Sequence, residues 1–263
     1  MATRAAPILE RILESRRAAI AELKADGIAN GLAPSAAQAQ TPLDFRRALV
    51  AEQVTLVAEC KERSPSGGLL QRPYDPVGLA RRYVANGAAA VSVLTEPEFF
   101  GGSLDHLRAV RIAVKVPLLC KDFIVDPVQV LAARATGADA VLLIVGILDD
   151  ARLRELLDVI HGYGMQALVE VHDEADVERA LRADVAIIGI NNRDLATMRT
   201  VKDTTARLCP LIPAGHVIVS ESGIDSRADI DGLERLGVNA ALVGASLLRA
   251  PDLDAKVREL SGR

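Results

Sequence analysis

Glu59 and Lys61 stand two residues apart at the end of an apolar run, Thr55-Leu-Val-Ala-Glu-Cys-Lys61, and the chain then breaks at Ser64-Pro-Ser-Gly-Gly68. Alternate residues of a strand share a face, so both charges arrive together at its C-terminal end. They could simply pair with each other. The arrangement recurs, however: Lys121 closes the run before Lys121-Asp-Phe123, Glu170 closes Leu168-Val-Glu170, Asn191 and Arg193 follow the next run, and Glu221 and Ser222 the one after. Carboxylates and lysines brought to one partly dry rim need partners or a task. The chemistry open to them is proton transfer with a bound small molecule, or attack by an uncharged lysine.

The segments between these tips must bring them to one place. Apolar runs at Ala89–Leu94, Val116–Cys120, Ala140–Val145, Gln166–Val169, Val185–Ile190, Val217–Val219 and Ala240–Val243 follow the opening strand. They alternate with stretches of helical spacing such as Val77–Asn86, which Asp75-Pro76 introduces as N-cap and first-turn proline. Eight strand-then-helix units imply parallel pairing, right-handed crossovers and a single (β/α)8 barrel, whose strand C-termini form one rim. Ahead of the barrel, Ile8–Asp26 reads as an amphipathic helix ending at Gly27, and Leu43–Leu49 as a short one. Asn30–Thr41, without a strong period, reads as a surface connector. Residues 1–50 are thus expected to be a helical extension packed on a catalytic barrel of residues 51–263.

Two glycine-bearing loops, Ser222-Gly-Ile-Asp225 and Gly244-Ala-Ser-Leu247, follow the seventh and eighth strands, where barrels bind phosphate through backbone amides. Phe99 and Phe100 sit in the loop after the second strand, although the chain has only 4 phenylalanines. Aromatics placed there either meet a ligand or anchor the loop on the rim. With 263 residues, half of them hydrophobic, and a net charge of −4, the chain can bury one large core and offers no basic stripe for nucleic acid or polybasic membrane patch. No apolar run is long enough to span a bilayer, and the Met1–Ala6 start lacks a secretory signal, so a cytoplasmic location is expected. Cys60, Cys120 and Cys209 have no metal-ligand spacing and read as buried reduced thiols, without disulfide or zinc.

Six motifs follow one another along the chain: Glu59-Cys-Lys61 with Ser64-Pro-Ser66, Leu94-Thr-Glu96 with Phe100 and Gly102-Ser103, Lys121-Asp-Phe123, Leu168-Val-Glu170, Asn191-Asn-Arg-Asp-Leu195, and Glu221-Ser-Gly-Ile224. Together, in this order, they resemble those of the indole-3-glycerol-phosphate synthase family of tryptophan biosynthesis. The resemblance covers nearly the whole chain. It implies a carboxy-lyase, free of metal and organic cofactor, that converts 1-(2-carboxyphenylamino)-1-deoxyribulose 5-phosphate into indole-3-glycerol phosphate, carbon dioxide and water. By that resemblance Lys121 is the general acid and Glu170 the acid/base partner in loss of water. Glu59 and Asn191 position substrate and support the acid/base network, and Lys61 and Arg193 surround the anionic groups. Ser64, Ser222, Gly223 and Gly244 lie around the phosphate, and Pro65, Phe100, Phe123, Leu142 and Leu195 grip the anthranilate ring. Glu221 joins the rim as a substrate contact.

Two positions depart from the common family pattern. Glu62 stands where a basic residue often follows the lysine, and Ala245 where a hydroxyl residue often flanks the phosphate glycine. Desolvation and the neighbouring Lys61 are expected to lower the pKa of Lys121. The partner is expected to be a phosphorylated small molecule, and the chain a monomer, with a weak dimer or docking to another pathway enzyme as alternatives. Competing readings are another phosphate-binding barrel, either a sugar-phosphate isomerase or a Schiff-base aldolase using Lys121, and a catalytically silent scaffold.

Overall fold

A computed structural model describes residues 8–195 and 197–263; the Met1–Ala6 start lies outside the described residues. Eight strands form its centre: β1 (Thr55–Cys60), β2 (Ala90–Leu94), β3 (Leu118–Lys121), β4 (Ala140–Ile144), β5 (Gln166–Val171), β6 (Ile187–Asn191), β7 (Val217–Glu221) and β8 (Ala240–Val243). They are parallel and closed, because β1 pairs with both β2 and β8. Each returns through a helix, as parallel neighbours require. The barrel helices start where local chemistry says they should. Asp75 accepts from the Gly78 amide at 2.9 Å with Pro76 in the first turn, and Asp126 with Gln129 and Ser226 with Asp229 form capping boxes.

Alternation along the strands divides the core into two layers. Outward side chains such as Leu56, Val91, Val93, Val141 and Leu143 pack under the helices, while Val57, Ala90, Leu119, Leu142 and Leu168 fill the interior. Counting by twos along the interior set arrives at Glu59, Lys121, Glu170, Asn191 and Glu221. Their inward aim is therefore a matter of parity. Most of them lie within the strand ladder: Glu170 is opposite Gly189, and Asn191 opposite Glu221. The third, sixth and seventh strands are displaced from the expected ranges toward or past their polar tips, so hydrogen-bonded backbone holds those tips.

The N-terminal segment differs in one respect from expectation. Residues expected to be a connector form a helix, α2 (Ala29–Gln38), between α1 (Ile8–Ala25) and the short α3 (Phe45–Ala48). Ala29, Ala33, Ala36 and Ala37 favour the helix intrinsically, and it packs on the helix Pro127–Ala135 even though Pro34 interrupts its hydrogen bonding. Small side chains give a weak hydrophobic period, which is why spacing alone does not reveal it. The segment spans the barrel from rim to base. Arg16 on α1 pairs with Asp122 at 3.0 Å, just beyond β3. Arg134 donates to the Ala39 carbonyl at 3.0 Å, the Arg46 amide donates to Gln166 at the start of β5 at 2.6 Å, and Phe45 and Leu49 are buried in the interior cluster. No described helix is long and apolar enough to cross a membrane, and Cys60, Cys120 and Cys209 are buried.

Asp139 ties this segment to the barrel. Buried before β4, it accepts from the Leu43 amide, the Leu118 amide and Arg111 Nη1, each at 2.7 Å. Asp139→Ala strands three donors and is expected to lower the unfolding free energy by about 3 kcal/mol, a typical cost of removing one partner from a buried charged network. Urea denaturation showing a loss under about 1 kcal/mol would mean that water takes over those donors.

Candidate active site

The inward tips enclose a cavity of about 500 Å³ at the C-terminal mouth. Every residue singled out from the sequence as catalytic or substrate-binding lines it: Glu59, Lys61, Lys121, Glu170 and Asn191; Pro65, Phe100, Phe123, Leu142 and Leu195; and Ser64, Arg193, Glu221, Ser222, Gly223, Gly244 and Ala245. Motifs spread over most of the chain thus meet in one hollow.

Lys121 is the centre of its electrostatics. Its Nζ lies 3.1 Å from Glu221 Oε2 and 3.4 Å from Glu170 Oε2, while Lys61 pairs with Glu59. Burial pulls the pKa of Lys121 down, yet Glu221, Glu170 and Glu59 outweigh it and hold the ammonium well above its usual range. This reverses the direction expected from the sequence. Lys61 is neutralised by its own carboxylate, and three acids surround a residue that was expected to face a cation. The two glutamates on Lys121 divide. Burial raises both, but Glu170 is also beside His172 and Asn191 and stays ionised, whereas Glu221, among the described residues, has Lys121 as its cation and the charges of Glu170 and Glu59 against it, which leaves it above the usual carboxylate range.

Glycine makes this clustering possible at two positions. A Cβ at Gly189 would come within 2.5 Å of Glu221 Oε1 and 3.2 Å of Leu168 Cδ1, and one at Gly244 within 2.4 Å of Glu59 Oε1. Only a residue without a side chain admits the carboxylates so close to the neighbouring strand.

One wall is apolar. Phe100 and Phe123 face each other with ring centroids 6.0 Å apart, with Leu142, Leu195 and Pro65 continuing the surface. Phe100 sits not in an open loop, as the sequence suggests, but at the end of a short helix, Pro97–Phe100, that Glu96 caps. Buried Glu96 accepts from the amides of Glu98, Phe99 and Phe100 at 3.0, 2.8 and 3.0 Å. Both phenylalanines pack against the interior cluster, but Phe100 lines the cavity while Phe99 does not and has the Arg11 guanidinium 5.4 Å from its ring centroid. Other parts of the lining are polar, with Ser64 and the loops at Ser222-Gly223 and Gly244-Ala245. There Arg193 donates to Ser66 Oγ at 2.9 Å and to the Met198 carbonyl at 3.0 Å.

Several residues around the site were not read from the sequence. Lys202 and Arg249 line the polar side, and nothing in their spacing marks them, since both come from beyond strand ends. Asp122 is held by Arg16 and by the Thr95 hydroxyl at 2.8 Å, which fixes the backbone between Lys121 and Phe123. His172 lies one position beyond the end of β5, two residues after Glu170 and on its face; that parity was the available signal.

Comparisons with known proteins agree with this geometry. The family model described as indole-3-glycerol phosphate synthase matches residues 9–260. The indole-3-glycerol phosphate synthase of Dehalococcoides mccartyi (strain CBDB1) is 52% identical over 222 residues, 83% of this chain and 86% of the relative. That of Roseiflexus sp. (strain RS-1) is 47% identical over 264 residues, covering 97% of this chain and 98% of the relative. Among solved structures, 3-hexulose-6-phosphate synthase from Salmonella typhimurium matches with a TM-score of 0.66 over 80% of this chain and 97% of its own, at 18% identity, a likeness of fold alone. On the family match and these identities over most of its length, the chain belongs to the indole-3-glycerol phosphate synthase family.

Proposed function

We propose that the chain is a carboxy-lyase that closes the indole ring of 1-(2-carboxyphenylamino)-1-deoxyribulose 5-phosphate, with Lys121 and Glu170 as its proton-transferring pair. Family membership supports the reaction. The observation that most supports the residue roles is a lysine held between two carboxylates of opposite protonation tendency, beside a pair of aromatic rings.

In this reading the substrate ring lies against Phe100, Phe123 and Leu142, and Pro65 and Leu195 complete the slot. The phosphate sits over Ser64, Ser222, Gly223, Gly244 and Ala245, with Arg249 supplying charge on the side where Ala245 lacks a hydroxyl. The carbon bearing the carboxylate bonds to the ketone carbon, and the ketone oxygen takes a proton from Lys121 Nζ. A lysine held cationic is a weak acid toward a neutral ketone but an adequate donor to the alkoxide that forms as the ring attacks. The carboxylate then leaves as carbon dioxide, its electron pair restoring aromaticity. Loss of water needs a base for the proton on the carbon next to nitrogen and an acid for the departing hydroxide. Ionised Glu170 suits the first task; Lys121, resupplied by Glu221, suits the second. Glu59 holds Lys61 toward the anionic groups, and Asn191 and Arg193 fix the substrate beside Glu170.

An aldolase-type imine is disfavoured by the same electrostatics, because three carboxylates keep Lys121 protonated and a Schiff base needs the neutral amine. On this reading the protein works as a cytoplasmic monomer, with residues 1–50 serving as an extension of the barrel of residues 51–263.

The first measurement is turnover of the carboxyphenylamino substrate followed by indole fluorescence, for which the chain's 0 tryptophans leave a low background. Lys121→Met should be nearly inactive while still binding substrate, Glu170→Gln should lose about 10²–10⁴-fold in kcat, and borohydride during turnover should trap no adduct. A reduced adduct on Lys121 by mass spectrometry would assign the lysine to imine chemistry instead.

A subtler test uses the glycine under Glu221. Gly189→Ala should displace that carboxylate and lower kcat by up to about 10²-fold, the scale of a 1 Å misplacement, with circular dichroism unchanged. Full activity in a folded Gly189→Ala protein would remove Glu221 from the proton-transfer scheme.

A further inference from the structure

His172 carries a contact that the proposed reaction has not used. Its Nε2 lies 3.3 Å from Glu170 Oε1, on the side of the carboxylate away from Lys121, and its Nδ1 lies 3.8 Å from Asp176 Oδ2. Asp176 is itself anchored: its Oδ2 accepts from the His172 amide at 3.2 Å, its amide donates to Asp173 at 2.9 Å, and its Oδ1 is 4.0 Å from Arg179 Nη1. Among the described residues, Glu170 Oε1 and His172 Nε2 are both buried without a well-aligned hydrogen bond. Each is the nearest counter-group the other has, at ion-pair distance and out of line. Burial left that way is unfavourable unless the pair is charged or tightens when the site is occupied. Beyond His172 lies a second cavity of about 490 Å³, lined also by Asp173, Asp203 and Arg207, which meets the first at Ile144, Asn191 and Leu195.

We propose that His172 is a positioning residue for Glu170: its imidazolium holds Oε1, so that Oε2 stays ionised and aimed at Lys121 and the substrate. The inference rests on the catalytic reading given to Glu170 above. Three observations converge on it. The histidine is on the face of β5 that carries Glu170, two residues along, so the strand pleat fixes their relation. Asp176, from the helix Glu174–Arg182, binds the histidine's own backbone and faces its other ring nitrogen, the arrangement that orients a histidine used through its far nitrogen. And the balance of charge favours the cation: burial opposes it, but Asp176 and Glu170 raise the His172 pKa from 6.5 to about 10. The groups facing the ring are thus Glu170 from β5 and Asp176 from the following helix. Asp173, Asp203 and Arg207 stand around the adjoining cavity, and Arg207 is paired with Glu174.

The consequence for pH has a definite sign. Removing a cation from beside Glu170 makes its charged form less favourable, so its pKa rises and the base is lost earlier on acidification. The histidine's own pKa is raised on folding, so the stability it contributes is full below about pH 6.5 and disappears as pH rises toward 10.

The test combines two variants with two readouts. In His172→Ala the acid limb of kcat/KM should move up by about one unit, giving a roughly tenfold loss on that limb, while KM changes less than about twofold. His172→Gln keeps a donor without the charge; it should keep the plateau kcat yet leave the limb displaced. A limb that does not move in either variant, or a loss uniform across pH, would overturn the proposal in favour of a packing role. The second readout needs no turnover. In ¹⁵N-detected imidazole spectra of the 4 histidines, the signal lost in His172→Gln should remain protonated at pH 8 in the unaltered chain and titrate lower in Glu170→Gln. Ordinary, unchanged titration would overturn the proposal whether or not the chain turns over the carboxyphenylamino substrate. An unaltered chain with no turnover but a coupled His172 would instead refute the catalytic reading alone.

Discussion

Burying one lysine among carboxylates is the constraint on which the rest of this structure depends. Lys121, Glu170 and Glu221 are all largely removed from water, and each would be strongly unfavourable there without the others. Their mutual distances must therefore be held by something more rigid than side chains. The closed barrel does this. The three residues end inward-facing series on three different strands, and closure leaves no free edge along which those strands could slip. Gly189 is part of the same solution, because the strand between Glu170 and Glu221 must leave its side-chain space to a carboxylate. Remove the glycine or the closure and the charges lose their partners before the fold loses its core.

The N-terminal segment extends this logic across the molecule. Its first helix reaches the rim, where Arg16 fixes Asp122 between Lys121 and Phe123; its last turn reaches the base, where Phe45 and Leu49 enter the interior cluster. One stretch of chain therefore touches both the backbone that carries the central lysine and the layer on which that backbone rests. Both parts mix ionic or polar with apolar contacts: α1 buries Ile12 beside its Arg16–Asp122 pair, and the stretch that carries Phe45 and Leu49 also gives its Leu43 and Arg46 amides to Asp139 and Gln166.

Much of this was legible from residue types and spacing because strand parity is a strict code. An apolar run followed by a charge says little by itself, but a run whose inward set is continued by Glu59, Lys121, Glu170 or Glu221 places that charge in the mouth once the barrel is inferred. Parity also pointed to His172, yet a histidine just past a strand has no helical or strand period of its own to mark it, and its partner Asp176 comes from the next helix. The helix at Ala29–Gln38 escaped because alanines give propensity without a hydrophobic stripe. The direction of the Lys121 pKa is hidden from the sequence for a different reason. Sequence shows which charges share a rim but not which are already paired, and Lys61, the expected repelling cation, is neutralised by Glu59.

That pairing explains how a single hollow can hold carboxylates of different protonation tendency. If all the carboxylates were equivalent, they would share protons indiscriminately and none would be reliably ionised at neutral pH. Inequality comes from counting neighbours. Glu59 has Lys61; Glu170 has Lys121 on one oxygen and His172 beside the other; Glu221 has only a share of Lys121 and faces the charge of Glu170. The last is consequently the group most ready to hold a proton and Glu170 the group most firmly ionised, with the lysine between them. The aromatic rings and the serines and glycines of the last two loops line the same cavity as this gradient. On the proposed reaction, a substrate fixed by its ring on the one set and its phosphate on the other would present the bonds between them to Lys121, and its reacting carbons would meet the charged centre because both ends of the molecule are held elsewhere.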